Sequence, residues 1–326
     1  MTLVDSFSRT IDYLRVSVTD RCNFRCQYCM DEGGVPLLAH NNILRYEEIE
    51  QVIRSAASLG ITKVRITGGE PLIRKDLAPF LARVSKIVGI SELALTTNGA
   101  LLSIHAHSLK QAGLSRINVS LDSLKRERFK HITNQDNLAD VLRGIEAAQA
   151  EGFETLKTNT VLMKGLNEDE VLDFVEFGIR RRIQVRFIEL MPTNSSLFWQ
   201  EDRVMRSADL IRHIRTRYEL DPIVASNRGP AEQYKVRGTD AIIGFISPIS
   251  CKFCMSCNRL RLTSDGKLLS CLHGEPDVDL RALLRDGMCD DELSELIRSV
   301  VRSKPREHRL EKRDFSAEHT MSRIGG

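Results

Sequence analysis

Aromatic residues make up only 6% of the 326-residue chain, with a single tryptophan. A chain this poor in aromatic rings lacks a stacking platform for single-stranded nucleic acid. Excess charge is scarce too. Lys plus Arg number 47 and Asp plus Glu number 44, a net charge of +3, which is too small for a nucleic-acid footprint. No run approaches the roughly 20 consecutive apolar residues that a membrane helix needs. Met1–Tyr13 carries Asp5, Arg9 and Asp12 where a signal segment would be apolar. The expectation is a cytoplasmic protein with no nucleic-acid or membrane partner. The basic segments Arg180-Arg181-Arg182 and Lys304–Arg313 are interrupted or flanked by acidic or apolar residues and read as solvated faces. There is no low-complexity tract and no repeat beyond an alternation of strands and helices. With 42% hydrophobic and 28% charged residues, the chain can bury a core without disulfide staples.

Strand-like segments recur at Leu14–Val18, Lys63–Thr67, Glu92–Thr96, Arg116–Leu121, Leu156–Val161 and Gln184–Ile188. Helical patterns lie between them at Tyr46–Leu59, Leu77–Val88, Ser103–Ala112, Asn137–Glu151 and Glu168–Arg180. Several end near a glycine, as helix C-termini do. This rhythm implies an α/β fold with a parallel sheet. Periodicity alone leaves a doubly wound sheet and a partial barrel both open. After Glu189 the pattern changes: a loop, a helix at Ser207–Tyr218, short strands near Gln233–Val236 and Ala241–Ile246, a cysteine-rich segment, and a last helix near Leu293–Val301.

The eight cysteines carry the chemistry. In a reducing compartment, clustered cysteines bind metal or react more often than they form disulfides. Cys22, Cys26 and Cys29 stand in Cys-Asn-Phe-Arg-Cys-Gln-Tyr-Cys, just beyond the first strand. Soft thiolates select zinc or an iron–sulfur cluster. Zinc would want a fourth ligand, and the nearest histidine is His40. Three thiolates on a four-iron cubane leave one iron open. Cys251, Cys254, Cys257 and Cys271 form a second group. Spacing permits either triad within it, or a four-cysteine structural zinc. Cys289 reads as a plain thiol.

The first string resembles the Cys-x-x-x-Cys-x-x-Cys signature of radical S-adenosylmethionine enzymes, with Tyr28 before the third cysteine. Gly68-Gly69-Glu70-Pro71, after the second strand, is similar to the methionine-binding turn of that superfamily. Cys254-x-x-Cys257-Asn-Arg-Leu-Arg-Leu, then Cys271-Leu, and the final Gly325-Gly326 resemble the GTP 3′,8-cyclase family of molybdenum cofactor biosynthesis. The resemblance runs nearly end to end. It implies an incomplete (β/α)6 TIM-like barrel over residues 1–204, and a C-terminal region, 205–326, with a second iron–sulfur cluster and a double-glycine tail. It implies two [4Fe-4S] clusters, on Cys22, Cys26 and Cys29 and on Cys254, Cys257 and Cys271, with Cys251 as an extra thiol. S-adenosylmethionine would meet Tyr28, Gly69, Ser120 and Met191. GTP would meet Arg15, Arg65, Thr96, Lys157, Arg186, Arg259, Leu260 and Arg261, with the purine on the open iron of the second cluster.

The implied reaction is lyase chemistry. A 5′-deoxyadenosyl radical takes the ribose 3′ hydrogen of GTP, C3′ attacks guanine C8, and 3′,8-cyclo-7,8-dihydro-GTP results. Arg259, Arg261, Gly325 and Gly326 are the implied catalytic residues, with the tail entering the site. Arginine rarely gives up a proton, so positioning and charge stabilisation are its expected roles. Buried strand cations need partners. Either internal carboxylates such as Glu70 and Glu189 pair with them, or an anion does, and the whole set favours an anion. Asn194 stands where the family more often has glycine, and asparagine tolerates positive φ. The family implies an external low-potential electron donor and a downstream cyclic pyranopterin monophosphate synthase, and it leaves a homodimer open.

Overall fold

The computed structural model describes residues 2–30, 36–192, 198–224, 229–308 and 321–325. Asn194, Gly326 and the stretch Arg309–Arg313 lie outside the described residues. The strands and helices run β1 (Tyr13–Ser17), α1 (Tyr46–Ser58), β2 (Lys63–Thr67), α2 (Leu77–Val84), β3 (Glu92–Thr97), α3 (Leu102–Gln111), β4 (Arg116–Ser120), α4 (Arg126–Thr133), α5 (Leu138–Ala150), β5 (Thr155–Leu162), α6 (Val171–Arg181) and β6 (Gln184–Glu189). After them come α7 (Ser207–Ile214), β7 (Leu220–Ile223), β8 (Ala231–Val236), β9 (Ile242–Ile246), β10 (Arg259–Leu262), β11 (Lys267–Leu269), β12 (Val278–Asp279), α8 (Leu280–Arg285), α9 (Asp290–Arg302) and α10 (Met321–Ile324). No described helix is long and apolar enough to cross a membrane.

Strands β1 to β6 pair in sequence order, all parallel. A doubly wound sheet would reverse its order at a switch point, so the barrel arrangement holds. The later strands extend the same sheet at both edges, β10 parallel to β1 and β9 parallel to β6. The order β12-β11-β10-β1-β2-β3-β4-β5-β6-β9-β8-β7 does not close on itself among the described residues. The barrel is therefore incomplete.

Strand alternation sorts the side chains. Leu14, Val16, Val64, Ile66, Leu95, Ile117, Val185, Phe187 and Leu260 belong to the apolar core packed under the helices. Tyr13, Arg15, Lys63, Arg65, Asn118, Lys157, Arg186, Arg259 and Arg261 occupy the alternate positions and line the inside. Helix α1 shows how the helices dock. Its apolar residues Ile49, Val52, Ile53 and Ala56 are buried, at the spacing of one helical face. Glu48 accepts the Arg45 N–H at 2.6 Å and pairs with Arg285 of α8 at 2.9 Å. The cap fixes the start of the first helix, and the ion pair ties the C-terminal region to it. Cys289, the residue before α9, is exposed and donates its N–H to Glu292 at 3.0 Å, a helix-start role.

Candidate functional site: two cysteine triads on a cation-lined barrel

The triads lie at opposite ends of one strand. The loop with Cys22, Cys26 and Cys29 follows β1. Strand β10 runs parallel to β1 with Tyr13 opposite Arg259, so Cys257, two residues before Arg259, lies at the start of β1. Strand β11 returns antiparallel and brings Cys271 back to that same end. Five residues of β1 set about 17 Å between the two levels.

At the first end, burial pushes the Cys22 thiol up to about 11 and Cys29 to about 12 and raises Cys26 as well; Glu70 adds to the rise at Cys22, and neighbouring thiols and Asp122 add to it at Cys26 and Cys29. Thiolates here need a cation. Among the described residues no three His, Cys, Asp or Glu side chains converge on one metal ion. A four-iron cube presents its irons at separate corners, so its ligands need not converge. The donor set fits that group.

The Gly68-Gly69-Glu70-Pro71 turn abuts the loop. Gly69 N–H donates to the Thr19 carbonyl and Glu70 N–H to the Arg21 carbonyl, both at 2.8 Å. A Cβ on Gly69 would lie 2.3 Å from the Arg21 carbonyl oxygen, so only glycine allows this approach. Glu70 is fully buried. It accepts from the Thr97 hydroxyl at 2.7 Å, Asn98 N–H at 2.6 Å and Leu72 N–H at 3.0 Å. Tyr28 donates to Asp122 at 2.7 Å, and burial lifts the Asp122 carboxyl to about 6. Ser120 is half-buried at the end of β4, and Met191 is half-buried just past β6.

At the second end, burial raises the Cys254 thiol, and Cys271 and Cys257 act on it from nearby. Burial also acts to raise Cys257, yet Lys304, Arg259 and Arg261 bring it below its usual value. Cys251 is exposed. Of the two triads that spacing permits, the structure brings together Cys254, Cys257 and Cys271. Their donor chemistry suits a cluster as the first set does.

Between the ends runs a row of cations. Across neighbouring strands Arg261 sits opposite Arg15, Arg15 opposite Arg65, Arg65 opposite Ala94 and Ala94 opposite Arg116. A second row holds Thr96, Asn118, Lys157 and Gln184, and a third Ser120, Asn159 and Arg186. Lys157 is brought down to about 7 by burial and then by Arg186, Arg116 and Arg65. Arg186 and Arg261 fall to about 10, first through burial and then through neighbouring arginines. Glu70 is committed to its own turn. Glu189 accepts from Ser207 N–H at 3.0 Å and from the N–H groups of Ile249 and Ser250 at 3.2 and 3.0 Å. Glu70 and Glu189 are thus engaged away from the row, and Glu92 pairs with Arg116 at its edge. The Nε atoms of Arg186 and Arg259 are buried without a partner. Leu260 faces the core, so only its backbone can meet a ligand.

The tail enters this space. Arg261 donates to the Gly325 carbonyl at 2.9 Å, and a Cβ on Gly325 would lie 1.9 Å from Thr67 Oγ1.

Sequence reasoning overlooked three lining residues. Tyr13 accepts a hydrogen bond from Arg65. Burial alone would raise the phenol, but Arg65 and Arg15 outweigh it and lower it. Arg116 pairs with Glu92 at 2.7 Å. Asp122 holds Tyr28. The first two share the alternation that placed Arg15 and Arg65 inside, and that signal could have found them. One expectation is overturned: Lys304, read as part of a solvated basic face, is buried because its amine satisfies two backbone carbonyls of the second cysteine segment.

An incomplete parallel barrel with a Cys-x-x-x-Cys-x-x-Cys loop after its first strand defines the radical S-adenosylmethionine class. Residues 16–178 match the Radical SAM superfamily and residues 183–310 match Molybdenum Cofactor Synthesis C. Streptococcus suis SuiB superposes with a TM-score of 0.60 at 16% identity, covering 90% of this chain and 69% of that one. A solved anSMEcpe with bound AdoMet gives 0.51 at 15% identity, covering 63% and 57%. These two likenesses concern the fold. The GTP 3′,8-cyclase of Peptoclostridium acidaminophilum is 45% identical, covering 99% of this chain and 98% of the relative. That of Pelotomaculum thermopropionicum is 46% identical, covering 99% of each. The chain belongs to the GTP 3′,8-cyclase family.

Proposed function

We propose that the chain converts GTP to 3′,8-cyclo-7,8-dihydro-GTP, the first step of molybdenum cofactor biosynthesis, inside the barrel between the two triads. The observation that carries this reading is the cation-rich row joining two thiol triads, in which Arg116 pairs with Glu92 and the Nε atoms of Arg186 and Arg259 are buried without a partner. In the net reaction the ribose C3′–H bond breaks and its hydrogen leaves in 5′-deoxyadenosine, a C3′–C8 bond forms at the expense of the C8–N7 double bond, and one electron from the external donor with one proton completes the dihydro ring. With [4Fe-4S] clusters on Cys22, Cys26, Cys29 and on Cys254, Cys257, Cys271, and S-adenosylmethionine bound at the first, these groups supply the 5′-deoxyadenosyl radical chemistry.

The chain's own residues bind and orient. Arg15, Arg65, Lys157 and Arg186 take the triphosphate, since guanidinium forks match phosphate oxygens. Thr96 accepts from Arg65 at 3.3 Å and keeps that guanidinium aimed. Arg259 and Arg261, with the Leu260 backbone between them, border the second triad and hold charge that develops on the ring. At about 10, Arg261 stays charged at neutral pH, so it stabilises rather than gives up its proton. Tyr28, Gly69, Ser120 and Met191 form the S-adenosylmethionine side. Gly325, seated against Arg261 and Thr67, closes this part of the barrel and excludes water. Functionally the chain divides near residue 204, with radical generation before it and the second cluster and tail after it. An external low-potential donor serves the clusters, and a cyclic pyranopterin monophosphate synthase consumes the product.

The test is anaerobic reconstitution followed by metal analysis and turnover. About eight irons and eight sulfides per chain, with cyclised product from GTP, are expected. About four irons with one zinc, or no cyclised product, would contradict the reading.

A further inference from the structure

Lys304, just beyond α9, is 3% exposed. Its Nζ donates to the Arg259 carbonyl at 2.9 Å and to the Ser270 carbonyl. Arg259 follows Cys257 by two residues, and Ser270 immediately precedes Cys271. Arg9, paired with buried Asp5 at 2.5 Å, donates to the Cys254 carbonyl at 2.8 Å. It also donates to the carbonyls of Arg306 at 3.0 Å and Pro305 at 2.7 Å. The His308 N–H donates to the Cys254 thiol. All three thiol-bearing segments are thus tied to residues 304–308. A neutral donor could tie backbones together. Here the donor is a buried ammonium, and among the described residues no carboxylate lies within ion-pair distance of it.

We propose that Lys304 is a positioning residue whose buried charge sets the reduction potential of the second cluster. The inference rests on the assignment of that cluster to Cys254, Cys257 and Cys271. Reduction adds a negative charge, and a fixed cation nearby favours the reduced state, because net charge and hydrogen bonding around the sulfurs set cluster potentials.

The test uses the full chain carrying Cys26→Ala, so that only the second cluster is observed, in a redox titration followed by electron paramagnetic resonance. Lys304→Gln keeps hydrogen-bond donors without the charge. It should lower the reduced-to-oxidised ratio at a given potential by about tenfold, about 59 mV for one electron. Lys304→Arg keeps the charge and should stay near the parent. A Lys304→Gln chain that holds its cluster at the parent potential overturns the proposal. If Lys304→Gln holds no cluster, Lys304→Arg decides: the parent potential supports the proposal, and a lowered one overturns it. If the parent Cys26→Ala chain binds no iron, the cluster assignment itself fails and the inference falls with it.

Discussion

Lys157 offers the sharpest test of the cation row. It is 8% exposed, and burial together with Arg186, Arg116 and Arg65 brings its amine to about 7. A bound triphosphate supplies the missing counter-charge and returns it toward 10.5, its ordinary value. The sign follows. GTP binds the charged amine, so binding takes up a proton when the pH lies above 7, and affinity falls as pH rises through that value. At about pH 8 roughly one-tenth of free Lys157 is charged, so binding takes up about 0.9 proton, and Kd rises by up to about tenfold per pH unit. Calorimetry of GTP binding in two buffers of different ionisation enthalpy counts that proton. Lys157→Met should abolish most of the uptake. It also removes a charge-assisted contact of about 1.5–3 kcal/mol, an increase in Kd of about 10- to 150-fold near pH 7. Equal proton uptake by wild type and variant would refute the reasoning.

Two glycines make further predictions. Gly69→Ala drives a methyl to 2.3 Å from the Arg21 carbonyl oxygen, and overpacking of this kind costs about 1–3 kcal/mol. The expected result is a lower Tm with loss of iron from the first triad, and wild-type values for both would contradict it. Gly325→Ala sets a methyl 1.9 Å from Thr67 Oγ1 at a residue with φ of +78°. The tail must leave its seat beside Arg261, and kcat should fall by about 10- to 100-fold. Unchanged turnover in a steady-state assay would mean that the tail's seat is not needed for turnover.

The six parallel strands could be read almost to the residue because each is a short apolar run closed by a turn signal. Arg15, Arg65, Lys157 and Arg186 could be named as basic residues on those strands, and the family resemblance assigned them to GTP. Helix α4 was missed because Arg126–Thr133 is mostly polar, and only Phe129, Ile132 and Thr133 are buried. Strands β7, β11 and β12 were missed because two to four residues carry no period. The commitment of Glu70 and Glu189 to backbone N–H groups was not legible either. It depends on loops from distant parts of the chain, and only their assembly shows that Glu70 and Glu189 are held by N–H and hydroxyl donors of their own loops. Lys304 was misread for a related reason. A lysine in a basic run looks solvated until the carbonyls that receive it, 34 and 45 residues earlier, are folded beside it.

The central claim is that this barrel directs hydrogen abstraction at the ribose of GTP. The most direct measurement is turnover of GTP carrying deuterium at C3′, with mass analysis of 5′-deoxyadenosine and of the nucleotide product. One deuterium in 5′-deoxyadenosine and a cyclised product that has lost it are expected. Unlabelled 5′-deoxyadenosine, or a nucleotide that keeps its deuterium, would contradict it.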